Sequence, residues 1–182
     1  MVNFPMKPLL AALSGLLLVM STLAQISDQQ RQAKSESRLT REVRHVLVTL
    51  PFYSVFDNLA FKVDGERVTL LGQAVSPTLK SDAEKAVKSI EGVSMVDNEI
   101  EVLPISPADE QIRRAEYRAI YSAPALEKYS NQAIPPIHII VKNGHVTLVG
   151  VVANEMDKTI ALTLANSVPE VFSVANELAV EA

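Results

Sequence analysis

The chain has 182 residues, of which 48% are hydrophobic and 21% charged, a composition that excludes a disordered protein and suits one ordinary domain or two small ones. Its formal net charge of −4 argues against nucleic-acid binding by the molecule as a whole. It has no cysteine, which excludes disulfides, thiolate catalysis and cysteine-based zinc sites.

The N-terminal segment has the pattern of a secretion signal. Lys7 precedes the apolar run Pro8–Met20, and the small residues of Ser21–Ala24 follow, with cleavage expected before Gln25. A retained membrane anchor is the alternative, but an uninterrupted span needs roughly 20 apolar residues. This run is shorter and is broken by Ser14 and Gly15. We therefore expect an exported protein.

An internal repeat organises the remainder of the chain. Residues 59–102 align without a gap with residues 137–180, at an offset of 78, and 13 of the 44 positions are identical. Several other pairs exchange one aliphatic residue for another, such as Ile90 for Val168. A repeat of this length indicates a duplicated structural unit.

Each copy of the repeat opens with two runs in which apolar residues alternate with others, the period of strands with one buried face. The four runs are 59–63, 68–72, 137–141 and 146–150. The turns between them, Asp64–Arg67 and Lys142–His145, contain Asp-Gly and Asn-Gly. These pairs favour the positive φ angles of tight turns, so both copies are predicted to form antiparallel hairpins.

Glycine ends the second run of each hairpin, at Gly72 and Gly150. An isolated glycine within a strand pattern indicates a bulge or a close approach, and we expect either a bulge or a helix packed closely over the sheet.

A helix and a final strand are predicted after each hairpin. Ser76 and Asn154 are suited to cap the helices, and apolar residues follow at helical spacing. The final strands are predicted over 93–102 and 171–180. Because a strand–helix–strand connection normally gives a parallel crossover, each sheet should be mixed.

A further helix precedes each hairpin, ending at Pro51 in the first copy and at Pro124 in the second. Each module therefore has the order α-β-β-α-β. The predicted fold class is α+β, a tandem repeat of two modules that each pack two helices on a mixed three-stranded sheet. The predicted divisions are a signal peptide 1–24, an N-terminal extension 25–34, a first domain 35–103, a linker 104–108 and a second domain 109–182.

Two short signatures, present in both copies, resemble those of the BON domain family. Val68–Gly72 and Val146–Gly150 are similar to its hairpin signature, and Ile90–Asn98 and Val168–Asn176 are similar to its helix exit and final strand. The resemblance covers nearly all of the chain after the signal. Two such domains behind a signal resemble the osmotically inducible periplasmic proteins of the family. One departure is the longer segment 126–136 of the second copy.

No pattern typical of catalysis is present. His138 and His145 could face each other across the second hairpin, but no carboxylate or cysteine with ligand spacing accompanies them. The final strand of the first copy has alternating acidic residues: Asp97, Glu99 and Glu101. This alternation is typical of the solvated face of an amphipathic strand. We therefore expect a protein that is not an enzyme and has no cofactor and no metal.

Basic side chains on the helices that precede the hairpins are the candidate contact residues. The predicted lipid-contact set is Arg38, Arg41, Arg113, Arg114, Tyr117 and Arg118. Basic, partly aromatic helical faces are suited to anionic lipid headgroups. Ordinary solvated faces are the alternative, because glutamates interrupt both stripes.

The BON resemblance implies a non-enzymatic envelope protein that contacts phospholipid surfaces and supports envelope integrity under osmotic stress. It implies a periplasmic location with peripheral association to the membrane. Expected partners are anionic phospholipid surfaces or envelope proteins, with no nucleic acid and no small-molecule substrate. The alternative function is a protein-interaction or chaperone-like module that binds through an exposed sheet edge.

Overall fold

The computed structural model of the protein describes residues 33–132 and 134–181. The predicted signal peptide 1–24 therefore lies outside the described residues. Within the described part of the chain, the helices are all too short or too polar to span a bilayer.

The first module contains two helices and one mixed sheet. Its elements are α1, described over 33–48, β1 (Asn58–Asp64), β2 (Arg67–Ala74), α2 (Pro77–Lys88), β3 (Met95–Asn98) and β4 (Glu101–Val102). Strand β2 lies at the centre, antiparallel to β1 on one side and parallel to β3 and β4 on the other. The predicted final strand is thus present in two pieces, interrupted at Glu99 and Ile100.

The second module repeats this order. Its elements are α3 (Pro107–Tyr121), a 3-10 turn (Glu127–Tyr129), β5 (Ile137–Lys142), β6 (His145–Val152), α4 (Glu155–Asn166) and β7 (Ser173–Val180). The sheet order is β5-β6-β7, antiparallel and then parallel. The predicted α+β fold of two similar modules is confirmed.

The two hairpin turns differ in type but are held in the same way. Asn143 and Gly144 have φ angles of 53° and 78°, the type I′ pattern, whereas only Gly65 is positive in the first turn, at 59°, as in type II′. In the second module, both oxygens of Asp109 accept from the turn, from Asn143 N–H at 2.9 Å and Gly144 N–H at 2.8 Å. Glu36 accepts from Gly65 N–H at 3.3 Å. A carboxylate on the preceding helix therefore holds each turn.

One asparagine in each module ties the final strand to the helix before it. The Nδ2 of Asn98 donates to the Lys80 carbonyl at 2.9 Å, and the Nδ2 of Asn176 donates to the Lys158 carbonyl at 2.9 Å. Each Oδ1 accepts from the backbone N–H two residues further on, of Ile100 or Leu178. The repeated asparagine therefore has a structural role.

The repeated glycines allow two strands to approach closely. A Cβ on Gly72 would lie 1.9 Å from the Asn58 carbonyl oxygen, and one on Gly150 would lie 1.9 Å from that of Pro136. Gly72 pairs with Leu59 within its ladder and Gly150 forms the last pair of its ladder with Ile137, with no extra residue at either position. The expected bulge or helix contact is therefore corrected to a contact with the backbone of the neighbouring strand.

We predict that Gly150→Ala lowers the free energy of unfolding by about 3 kcal/mol or more, because the new Cβ collides with backbone and the φ of 131° is strained. Gly65→Ala is the matched control, since Gly65 also has positive φ but nothing lies within 4 Å of an added Cβ. It should cost only about 1 kcal/mol. Urea unfolding of both variants gives the comparison, and equal losses would contradict the collision.

The helices α1 and α3 place equivalent residues in the two cores at an offset of 73. Leu39, Val43 and Leu47 are buried on α1, and at the same spacing Ile112, Glu116 and Ile120 are buried on α3. A glutamate thus occupies the core position that valine fills in the first module. Glu116 is 0% exposed, and in the described part of the chain neither of its oxygens has a hydrogen-bond partner. Burial raises the pKa of Glu116 to about 7.

Glu116 makes the stability of the second module depend on pH. Its pKa is about 7 when folded and 4.5 in the reference state, so folding opposes ionisation. The contribution of Glu116 to stability is therefore most favourable below pH 4.5, falls as the pH rises towards 7, and is lower by about 3 kcal/mol above that range.

We predict that Glu116→Val, which copies Val43, removes this pH dependence and raises the free energy of unfolding at pH 8. Denaturant unfolding between pH 4.5 and 8 measures the difference. Glu127→Gln, at an exposed position of the same module, is the control and should keep the wild-type profile. A wild-type profile in Glu116→Val would show that another group causes the dependence.

Candidate functional site

In the first module, the predicted contact residues lie on α1. Arg38 forms its hydrogen bonds within its own module, because it donates to Glu42 at 3.2 Å and to the Glu91 carbonyl at 3.0 Å. Arg41 is exposed and forms no ion pair with any described residue. This helix therefore offers one fully available arginine of the two predicted.

Arg113 is buried on α3, with 4% of its surface exposed. Its Nη2 donates to the Val141 carbonyl of β5 at 2.8 Å, and its Nη1 lies 3.6 Å from Glu110. The guanidinium thus joins the helix to the edge strand of its own sheet. Arg113 is not available to a membrane surface, and we remove it from the contact set.

The other three predicted residues lie on the outer face of α3. The side chain of Arg114 is 68% exposed and donates to Glu110 at 2.9 Å. Arg118, one turn later, is exposed and has no ion-pair partner among the described residues. Tyr117 is 40% exposed and packs against Tyr121, with ring centroids 5.0 Å apart. No hydrogen bond or ion pair in 33–132 or 134–181 joins these residues to Arg38 or Arg41.

The two arginines border a shallow groove between α3 and the connection from α4 to β7. The groove has a volume of 410 Å³, and Pro169 and Glu170 form its opposite wall. A second groove of 480 Å³ shares Ile112 and Glu170 with the first and extends to Phe172. The lining of both is mainly apolar. They form one continuous surface on the second module.

Phe172 is the most exposed aromatic residue of this surface, at 77%. Its N–H donates to the Gly144 carbonyl at 2.9 Å, and its ring lies over Gly144, where a Cβ would be only 2.6 Å from the ring. The phenyl group therefore packs on Gly144 and is otherwise exposed to solvent. We call Arg114, Arg118, Phe172 and the two grooves the α3 surface.

Sequence reasoning missed Phe172, although a signal was present. The equivalent residue in the first copy is Ser94, so a large apolar side chain replaces a small polar one at an exposed position. The ring packs on Gly144 and His145 but stays 77% exposed, more than packing within the module requires, and this exposure points to a contact outside it.

Comparison with known families agrees with the duplicated fold. The family model of the BON domain matches residues 27–104 and 123–182. The chain belongs to the BON domain family. No curated protein matches it.

Two solved structures similar to this BON protein come from Chlamydia trachomatis. One, described as CdsD, a structural protein of the type III secretion system, is 14% identical, with 79% of this chain and 92% of that chain covered and a TM-score of 0.31. The other, the C-terminal domain of CdsD, is 13% identical, with 79% and 98% covered and a TM-score of 0.28.

The histidines of the second BON module lie apart. His138 pairs with Val149 near one end of the hairpin, and His145 pairs with Lys142 beside the turn, so the expectation that they face each other is corrected. Burial lowers the pKa of His138, and His145 Nδ1 lies 2.7 Å from the Ser173 hydroxyl. No group of three metal-ligating side chains occurs in the described residues.

Two of the three alternating carboxylates of the first BON module take part in ion pairs. Asp97 contacts Arg67 at 2.8 Å, and Glu101 contacts Lys142 of the second module at 2.5 Å. All four side chains are substantially exposed. These pairs fit the predicted solvated strand face, and their positions give no acid–base pair in a closed pocket.

Proposed function

We propose that this BON protein is a non-enzymatic envelope protein that binds anionic phospholipid surfaces through the α3 surface of its second module. The observation that carries the proposal is the placement of two exposed arginines, Arg114 and Arg118, beside apolar grooves that end at the exposed ring of Phe172. This combination gives one contact for phosphate and one for the acyl boundary of a membrane.

The electrostatics of the proposed contact are local. The chain has a net charge of −4, so attraction to an anionic membrane must come from a patch and not from the molecule as a whole. Arg118 has no carboxylate partner among the described residues, and its guanidinium is suited to bidentate contact with phosphate. Arg114 would exchange the exposed Glu110 pair for phosphate at little cost, since exposed ion pairs contribute little.

The apolar part of the contact comes from Phe172. An aromatic ring at the headgroup level adds burial without a membrane-spanning segment, and the contact stays reversible. Tyr117, on the same helix face, is a further residue of this kind. The first module contributes less to the proposed contact, because Arg38 donates to the Glu91 carbonyl, and of the two predicted contact residues on α1 only Arg41 has no ion pair with a described residue.

Location and physiological role follow from other features. The segment before Gln25 has the pattern of a secretion signal, which supports a periplasmic site of action. Membership of the BON family, together with the resemblance to osmotically inducible periplasmic proteins, supports a role in envelope integrity under osmotic stress. The described residues hold no group of three metal-ligating side chains, and the hydrogen-bonded pair of His145 and Ser173 is exposed, which favours binding over catalysis.

Flotation with liposomes tests the arginines. The mature protein should float with vesicles that contain phosphatidylglycerol, stay behind with purely zwitterionic vesicles, and dissociate as salt rises from about 0.05 M to about 0.5 M. Arg114→Glu with Arg118→Glu should weaken binding about 30-fold or more, since each arginine near an anionic surface contributes about 1 kcal/mol. Lys62→Glu with Lys85→Glu has the same charge change on the first module and should bind normally.

Flotation also tests the aromatic contact. Phe172→Ser places the residue of the first copy in the second, and should reduce binding to anionic vesicles while leaving the unfolding midpoint unchanged, because the ring is exposed. Absence of wild-type flotation with every lipid composition would refute the lipid proposal. Equal flotation of the double arginine variant and the lysine control would refute the assignment to α3.

A further inference from the structure

A short segment of the first module covers a sheet edge of the second. We call residues 51–57, between α1 and β1, the strap. The Ile139 N–H of β5 donates to the Val55 carbonyl at 2.7 Å, on the side of β5 away from β6. The Tyr53 ring stacks on His138 with centroids 5.6 Å apart, and Phe56 packs against the core of the second module. The strap therefore supplies a strand-like partner to an edge that would otherwise be open.

The equivalent edge strand in the first module is β1, and its N–H groups alternate between the two sides of the strand in the same order as those of β5. Ile139 pairs with Leu148 in β6, and Phe61 pairs with Leu70 in β2, at the same offset of 78 along both strands. The Phe61 N–H must then point away from β2, as the Ile139 N–H points away from β6. No described residue accepts from it.

The neighbouring outward N–H groups of β1 are those of Leu59 and Val63. The Leu59 N–H is already covered by the Tyr53 hydroxyl of the strap. The Val63 N–H points to the same side of β1 as the Phe61 N–H and, like it, has no acceptor within 33–132 or 134–181. Two successive outward N–H groups are thus available to an added strand.

The side chains beside this edge are also uncovered. At the offset of 73, Arg44 of α1 stands where Tyr117 stands on α3, and Val48 stands where Tyr121 stands. Phe56 of the strap lies against Tyr117, with centroids 6.2 Å apart, and Tyr121 is buried. Val48, which occupies the position of buried Tyr121, is by contrast 46% exposed.

Two exposed cations lie by this edge, Arg44 on α1 and Lys62 on β1, and neither forms an ion pair with a described residue. The exposed carboxylate of β1 is Asp64, next to the turn. An added segment with a carboxylate beside its aromatic residue would complement Lys62. The chemistry of the missing strand can therefore be stated.

We propose that the β1 edge binds an extended segment of a partner protein, with an aromatic side chain over Arg44 and Val48, as Phe56 lies over Tyr117, and an acidic residue towards Lys62. The segment adds to the sheet beside β1 and accepts from Phe61 N–H as the strap accepts from Ile139 N–H. The strap is the internal template for this contact. The site lies on the first module, and it does not depend on lipid binding by the second.

A synthetic peptide of residues 50–58, which contains the strap, is the probe. Added in excess to the mature protein, it should slow amide hydrogen exchange of Phe61 and Val63 about tenfold or more, with chemical-shift changes at Val48. A scrambled peptide of the same composition should leave both unchanged. Exchange at Ile139 should stay as it is, because the strap already covers that group.

Matched variants test the apolar contact. Val48→Glu places a charge on the uncovered patch and should weaken peptide binding about tenfold, whereas Val151→Glu, at a residue of the second module that is equally exposed, should have no effect. Both residues are exposed enough for the variants to fold, which circular dichroism checks.

Three results would overturn the proposal. One is unchanged exchange at Phe61 and Val63 with the peptide at millimolar concentration. Another is a response confined to Ile139 and His138, which would mean that the peptide only displaces the strap. The third is protection of Phe61 in the protein alone that disappears on dilution, since it would make a second copy of the chain the occupant of the edge.

Discussion

The parallel pairing of the last strand with the centre of the hairpin is the contact on which each module depends. The connection between the two paired strands contains a helix. One asparagine in each module, Asn98 or Asn176, fixes the pairing, because its side chain bonds both to that helix and to the backbone of the final strand. The glycine of the hairpin lets the first strand approach closely enough to complete the sheet. Residues that the two copies share are largely those that build this frame.

The backbone N–H that follows each hairpin has a different hydrogen-bond acceptor in the two copies. The Val75 N–H after the first hairpin donates to buried Asp57 at 2.8 Å, whereas the equivalent Ala153 N–H donates to the Tyr129 hydroxyl at 2.7 Å. Tyr129 belongs to the longer segment of the second copy, and its hydroxyl donates in turn to Asp157 at 2.6 Å. The insertion therefore replaces a lost carboxylate, and the hairpin pairing beyond it is unaltered.

The local sequence pattern was sufficient to predict the fold. The alternation of apolar residues, the turn residues and the helix caps depend on residues that are close in sequence, and each of these signals was present twice. It was not sufficient for the site. Arg113 lies on the boundary of an amphipathic stripe, where helical spacing allows either face, and its bond to β5 keeps it buried. Glu116 has the spacing of a core residue, four positions from Ile112 and from Ile120, but its charged side chain is typical of a surface position. The contact between Val55 and Ile139 joins positions 84 residues apart and has no local signature. Phe172 could have been found by comparing the exposed positions of the two copies.

The strap gives the tandem array a direction. The second module has an edge strand that depends on residues from the preceding copy. Separation of the two halves would bare the edge of β5, as that of β1 is already bare among the described residues, and would uncover the aromatic pair of Tyr117 and Tyr121. The two copies therefore form an ordered pair, in which the second relies on a segment of the first.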